Sequence, residues 1–517
     1  MQRVFICLLL LLIGSSAWAA GSEPNELFYV RTFAECPAFN GDGTAYTCAA
    51  SNGGVGAKRG FSSLGGTATP DTEVLGTIDK GDTVYLCGHF VSADRGFSGA
   101  MFNASTHLQG VSGSPVVIEG DCSDEGNLAE AIIDGEGVEA LGIQVWGAYT
   151  TWQHFTLKNV STGMSSSFAA EPAGVTIQYV TITDIGFAQE DGQVCLEGNF
   201  ATYLFDNLTI GPCGSDGIYV GNGSTGVHQG TISNSTITDV SNHIGNGDGI
   251  QMEPGGGGIY VYDVTITKRG TDKACMLLGG ANGATIVRDV DCSAVTGYGQ
   301  FGCLTIDGAA TGSSIRGLRC HDIPGGVGIY IRADNLAVLG TLDVYGNVVS
   351  DMGSCLAVSG VHAAAVIRFY NNTCDGMTLY GISASNTWNP GTFTIRNNLI
   401  ESAGYQIYLG PTPAEAAGDW NSNYNFFKGT GTYFYLTVNH TTLAAYASAS
   451  GDEANSQNVD PLVSPNGGTM GNSTARRAGS AWADCRDFRG RPCWAPPDIG
   501  AYQSTSGDPA ATRAVRN

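Results

Sequence analysis

Residues 215–254 read SDGIYVGNGSTGVHQGTISNSTITDVSNHIGNGDGIQMEP. A Gly-Ile pair at 217–218 opens a short strand, and a second pair at 249–250 opens another, with the strand-like run GTISNSTITDV between them. The same opening, Gly or Cys followed by an alternation of aliphatic residues, recurs as CLEG at 195, CMLL at 275, CLTI at 303, GIYI at 328, CLAV at 355 and GISA at 381. QIYL at 406 extends the series, and GIQV at 142 fits two periods before its start. Apart from one short and one long interval, these starts fall 25 to 28 residues apart. A second column keeps step: DNLTI at 206, SNSTI at 233, YDVTI at 262, RDVDC at 288, RGLRC at 316, NNTC at 371 and RNNLI at 396.

A period of this size means a solenoid, in which each repeat buries its apolar face only by stacking on its neighbours. Helical repeats are excluded by 75 glycines, about twice average usage, and by the period-two alternation of the strands. In GIQME, Ile250 and Met252 point inward while Gln251 and Glu253 point out. Successive coils then stack their inward residues about 4.8 Å apart. The pattern predicts one inward column through Ile218, Ile250, Met276, Leu304, Ile329 and Leu356. The Asn and Asp of the second column predict a polar ladder at a bend, their side chains satisfying turn backbone groups. That role also accounts for the sequons at Asn207, Asn234 and Asn439.

Charge and termini narrow the function classes. Charged residues are 14% of the chain, and the formal net charge of −23 argues against nucleic acid, whose phosphates demand a basic face. Anionic lipid is disfavoured likewise, and an acidic polysaccharide would need local Lys or Arg or bridging cations. Residues 1–20 read as an export signal: Arg3, the apolar VFICLLLLLIG, then Ala17-Trp18-Ala19 at a cleavage site. The apolar run is short for a bilayer, so a secreted protein without membrane insertion is expected. Cys7 leaves with the signal, and the remaining cysteines, with no C-x-x-C pair, read as disulfides rather than zinc ligands. Residues 21–130 are expected to hold an N-terminal cap and the first coils, 131–410 the central solenoid, and 411–517 a capping and return segment. In that last segment, GDWNSNYNFFKGTGTYFYL loses the period and gains aromatics.

The opening LFYVRTF and FNGDGT, GDTVYLCGHF at 81–90, the strand columns, and the closing NSNYNFF, VDPLV and PDIGAYQ together resemble the pectate lyase-like superfamily. The resemblance is to its secreted parallel β-helix proteins and covers roughly residues 27–505. It implies an all-β, right-handed parallel β-helix of about ten coils. It also implies a glycan-binding groove on one parallel sheet, but it identifies no activity by itself.

The cysteines fit the register. Cys275 and Cys303 share one column of adjacent coils and Cys292 and Cys320 another, at a spacing that a disulfide tolerates. Cys275–Cys303 and Cys292–Cys320 bonds are therefore expected, or else four thiols packed as small apolar residues. Cys36–Cys48 and Cys485–Cys493 are the other expected pairs.

Polar residues at outward or strand-edge positions cluster in central coils: Glu197, Asp216, Tyr219, Asp248, Gln251, Glu253, Lys273, Asp307, Tyr330 and Arg332. Later coils place Ala357 and Ser383 there. Elimination from a uronic-acid polymer needs a base beside the substrate carboxyl group and a cation to offset its charge. Lys273, Arg332, Tyr330 and His243 are the candidates to act there, with Glu197, Tyr219, Gln251 and Asp307 contacting the glycan. Asp216, Asp248 and Glu253 could hold Ca²⁺, a hard ion that takes several oxygens. Hydrolysis would instead pair Asp248 with Glu253 or Asp307 as acid and base. The NTD…DD…GHG…RIK series of polygalacturonases, the Arg-x-Pro-x-x-Arg of pectate lyases and the Asp-Pro-His-Glu of mannuronan epimerases are all missing. The leading expectation is a monomeric polysaccharide lyase acting on an acidic glycan. A glycoside hydrolase and a non-catalytic glycan-binding rod are the alternatives.

Overall fold

The computed structural model describes residues 26–501 apart from a set of segments, the longer ones being 38–43, 51–57, 60–77, 124–129, 187–192, 222–227, 241–246, 295–301, 333–339, 385–391, 411–419, 461–477, 481–486 and 488–496. The chain winds into a parallel β-helix with three sheets. In the central coils, sheet 1 runs from Leu196–Gly198 to Tyr405–Leu409, sheet 2 from Thr202–Asp206 to Trp420–Asn423, and sheet 3 from Thr209–Ile210 to Phe426–Lys428. Strands pair in parallel with the equivalent strand of the next coil.

The six residues expected in one column stack in register and are fully buried. Leu196 and Met164 extend that ladder at one end, Ile382 and Ile407 at the other. Sheet 2 contributes Phe205, Ile232, Val261, Val287, Ile315 and Val344, and sheet 3 contributes Ile210, Ile237 and Ile266. These ladders fill the interior, so each coil's apolar residues are covered only by its neighbours.

The second sequence column is the bend between sheets 2 and 3. Asn207, Asn234, Asp263, Asp289, Asn371 and Asn397 take φ of 47° to 58°, and Gly317 and Gly346 take 63° at the same place. Asn, Asp and Gly are the residues that enter this left-handed conformation at least cost. One residue further on, Asn347, Asn372, Asn398 and Asn425 are fully buried and form a ladder. Each Nδ2 of the first three donates to the next Oδ1 at 2.9, 3.0 and 3.1 Å. Those oxygens also accept the backbone N–H of the residue one coil back, which satisfies turn donors that would otherwise be buried unpaired.

The Gly-or-Cys position that opens each sheet 1 strand has a physical explanation in the cross-section. It faces the end of sheet 3 across a tight corner. A Cβ at Gly217, Gly249, Gly328 or Gly381 would lie 2.7, 2.6, 2.6 and 2.3 Å from a branched methyl of Ile237, Ile266, Val349 and Ile400. Where the column holds cysteine, a second cysteine meets it across the corner and is bonded to it: the sheet 3 residue in Cys275–Cys292, Cys303–Cys320 and Cys355–Cys374, and a residue three positions past the sheet 3 strand in Cys195–Cys213.

This corrects the expected Cys275–Cys303 and Cys292–Cys320 bonds. The register was right, since Cys292 and Cys320 are Cα partners. Within one column, however, the Cβ atoms point the same way into the corner, not at each other, so each sulfur meets the partner across it. Peptide mapping of the non-reduced protein is expected to recover Cys275–Cys292 and Cys303–Cys320. Peptides joining Cys275 to Cys303 would contradict the corner geometry.

Cys36–Cys48 and Cys87–Cys122 are bonded in the N-terminal part. His243, Cys485, Cys493 and residues 1–20 lie outside the described residues. The last strands carry the helix Leu443–Ser450 and an antiparallel pair, Thr432–Tyr435 with Val438–His440. The chain then returns along the bend. Gly500 donates to the Asn397 carbonyl at 2.8 Å, and Ile499 packs on Leu399 and Phe426. Among the described residues, no helix is long and apolar enough to cross a membrane.

Candidate functional site

Sheet 1 presents an outward row in register: Glu197, Tyr219, Gln251, Leu277, Thr305, Tyr330, Ala357 and Ser383. Beside it run Glu253, Asp307, Arg332 and Ser359. The polar residues form two patches with Leu277 and Gly279 between them. In the first, Tyr219 donates to Glu253 Oε1 at 3.4 Å and Gln251 Nε2 donates to the same oxygen at 2.8 Å. Glu197 accepts from Ser165 Oγ at 3.2 Å. Burial, with Asp216 nearby, pushes the Glu197 carboxyl up from its usual range. Burial and the Glu253 carboxylate push the Tyr219 phenol up to about 12, so it is a proton donor at neutral pH.

In the second patch, Arg332 Nη2 donates to Asp307 Oδ2 at 3.3 Å, and the Tyr330 and Ser359 hydroxyls are 2.8 Å apart. Two strand steps, roughly 10 Å, separate Glu253 from Asp307.

Asp216 and Asp248 are not on this outward face. They occupy the turns that open their strands, are 8% and 1% exposed, and point into the corner. Asp216 Oδ1 accepts the Asp248 N–H at 2.5 Å, and Asp248 Oδ1 accepts the Ala274 N–H at 2.7 Å. Each carboxylate thus caps the next coil's turn. Beneath them lies Lys268, 2% exposed, whose ammonium donates to the Lys273 carbonyl. Lys273 itself is half-buried at the rim, and its charge and that of Lys268 act on both aspartates.

The structure therefore brings Glu197, Tyr219, Gln251 and Glu253 together near Asp216, with Asp248 and Lys273 in the turn beside Asp216. It leaves Asp307, Tyr330 and Arg332 as a neighbouring group. The pairing of Asp248 with Glu253 or Asp307 as hydrolytic acid and base is not formed, because Asp248 faces the backbone of the turn. Of the residues expected to hold Ca²⁺, Asp216 and Asp248 face backbone N–H groups of the turns and Glu253 accepts from Tyr219 and Gln251. Among the described residues no three His, Cys, Asp or Glu side chains are gathered to hold a metal ion.

Burial raises the Asp216 carboxyl to about 6 and raises Asp248 as well, the latter also through Asp216. A carboxyl whose pKa is higher in the folded state than in the unfolded chain stabilises the fold below the unfolded value, near 4. That contribution disappears as pH rises through the folded value. The melting temperature is therefore expected to be about 2–5 °C higher at pH 5 than at pH 8. Asp248→Asn, which keeps the acceptor for Ala274, is expected to flatten the slope. An unchanged slope in that variant would count against this assignment.

Lys268 escaped the sequence reading. Its column holds Val240 and Ala294 in the adjacent coils, so a lysine there breaks an apolar pattern. That break was a usable signal, but only once the third strand had been placed in register. Ser165, which orients Glu197, lay in a coil outside the quoted repeat series.

No family model matches the sequence, and no curated protein matches it significantly. Among solved structures, pectate lyase Pel9A aligns over 94% of this chain and 98% of its own, with 12% identity and a TM-score of 0.35. The PL6 family polysaccharide lyase Pedsa3628 from Pseudopedobacter saltans aligns over 84% of this chain and 97% of its own, with 11% identity and a TM-score of 0.41. Neither identity nor superposition reaches a level from which an activity follows.

Proposed function

We propose that this protein is an exported polysaccharide lyase that cleaves a uronic-acid-containing glycan by β-elimination along sheet 1. The observation that carries the reading is the placement of Lys273 and Arg332. On a chain of net charge −23, Arg332 stands beside the outward row at Tyr330, and Lys273 lies in the turn next to Asp216 and Asp248, which open the strands of Tyr219 and Gln251. A uronate carboxylate needs such local charge to approach an acidic protein. Buried disulfides in the solenoid suit an oxidising compartment.

In the proposed reaction, Lys273 reacts as the neutral amine, having given its own proton to solvent, and takes the proton from the carbon bearing the carboxyl group to become the ammonium. The electron pair left behind forms a carbon–carbon double bond, and the glycosidic C–O bond breaks. The leaving oxygen takes a proton from the Tyr219 phenol, which stays protonated near neutrality. Arg332 offsets the carboxylate charge of a neighbouring sugar, with Tyr330 beside it.

Hydrolysis has one specific observation in its favour. Burial raises the Glu197 carboxyl while Glu253 accepts from two donors, so two carboxyl groups in different surroundings flank Tyr219. A panel of polygalacturonate, alginate, glucuronan and neutral glycans separates the readings. New ultraviolet absorbance from unsaturated ends supports the lyase. New reducing ends without that absorbance transfer the function to hydrolysis. Retention without cleavage makes the protein a binder.

A further inference from the structure

Three charged side chains, Asp216, Asp248 and Lys268, are buried where the fold does not need them. In the same column as Asp216 and Asp248, later coils hold Ala274, Gly302, Val327 and Ser354. The column of Lys268 holds Val240 before it and Ala294 after it. Apolar or small residues thus close the same corner elsewhere in the molecule. Burying ions costs several kcal/mol per charge before their attraction repays it. A local departure from an otherwise consistent pattern marks a site kept for something other than stability.

What the three residues hold in common is one peptide group. The Lys273 carbonyl accepts from the Lys268 ammonium, and the Ala274 N–H donates to Asp248 Oδ1 at 2.7 Å. Asp248 is itself held through its own N–H by Asp216 Oδ1 at 2.5 Å. The Lys273–Ala274 peptide is thereby gripped at both its C=O and its N–H by buried charges. Its carbonyl end belongs to Lys273, the half-buried residue two positions before Cys275. On the other side of Ala274, Cys275 is bonded to Cys292, so the strand start is fixed there too.

We propose that Lys268, acting with Asp248, is a positioning residue that fixes the backbone of Lys273 and so the origin of its side chain over sheet 1. The inference rests on Lys273 being the reacting amine in the lyase reading. It adds to that reading the group that makes the amine's placement reproducible. Catalytic groups misplaced by about an ångström can cost 10²-fold in rate.

The test compares wild type with Lys268→Met, Lys268→Arg and the double variant Lys268→Met/Asp248→Asn. The double variant removes the unpaired buried carboxylate should the single change unfold the chain. Two readouts are taken on protein shown to be folded by circular dichroism. The first is the acylation rate of Lys273 relative to Lys80, read by mass spectrometry with an amine-reactive ester. This needs no substrate. The second is steady-state kinetics on the panel glycan that the wild type cleaves.

Lys268→Met and the double variant are expected to change the relative Lys273 acylation rate at least threefold. They are also expected to lower kcat by 10-fold or more with KM within twofold, while Lys268→Arg restores both. An unchanged acylation rate in folded Lys268→Met protein would overturn the proposal. So would a loss confined to thermal stability with kcat intact. If the panel yields no cleavage by the wild type, the lyase reading falls while the acylation rates still decide whether Lys268 positions Lys273.

Discussion

Lys273→Ala is expected to lower kcat on an acidic glycan by about 10²–10⁴-fold, the usual contribution of a positioned acid or base. The side chain stands at the rim and its backbone is held by Lys268 and Asp248, so folding is expected to change by no more than about 0.5 kcal/mol. The hydrolase reading makes the opposite forecast: Glu197→Gln is inactive, while Lys273→Ala keeps most of its rate. Asp248→Asn separates chemistry from support. Its amide oxygen can still accept the Ala274 N–H, so a mild loss is expected, not abolition. Steady-state rates of the three folded variants on one cleaved glycan check all of this.

The largest effect on stability is expected at Asn372. Its Oδ1 accepts from Asn347 N at 3.1 Å and Asn347 Nδ2 at 2.9 Å, and its Nδ2 donates to the Val344 carbonyl and Asn398 Oδ1, each at 3.0 Å. Asn372→Leu would leave two buried donors and a carbonyl without partners. At about 1–3 kcal/mol for each unsatisfied group, a loss of roughly 3–6 kcal/mol follows. Leucine is not foreign to this column, since Leu318 and Val290 occupy it in earlier coils and are fully or almost fully buried. The cost therefore comes from leaving the ladder half-made. Replacing Asn347, Asn372, Asn398 and Asn425 together is accordingly expected to cost less than four times the single change. Denaturant unfolding of the single and quadruple variants measures the difference.

How much of this was legible beforehand depended on which direction a contact runs. Contacts along the solenoid axis follow from the period alone. Ile218, Ile250 and Met276 could be aligned by counting, and the left-handed bend at Asn207 and Asn234 announced itself by residue type. Contacts across the section do not follow from the period. Cys275 was placed correctly against Cys303, yet its bond runs to Cys292, because the corner brings sheet 3 against the start of sheet 1. The covariation of Gly249 with Ile266 and of Cys275 with Cys292 carries that information, but only after three strands per coil are assigned.

The site was read with the same bias. Glu197, Tyr219 and Gln251 form the outward row that alternation predicts. Asp216 and Asp248 lie in the turn, where the strand rule stops applying, and their carboxylates go to backbone N–H groups instead of the groove. Lys268 ends its strand in sequence, and its burial is a property of the corner.

The central claim, that sheet 1 supports elimination from a uronate, is tested most directly by the mass of the products formed in water carrying heavy oxygen. Elimination breaks the chain without consuming water. The account predicts oligosaccharides whose new non-reducing ends are unsaturated, one water lighter than hydrolysis products, and free of the heavy isotope beyond slow exchange at the reducing end. Full-mass products that have taken up heavy oxygen at the cleaved bond would contradict it.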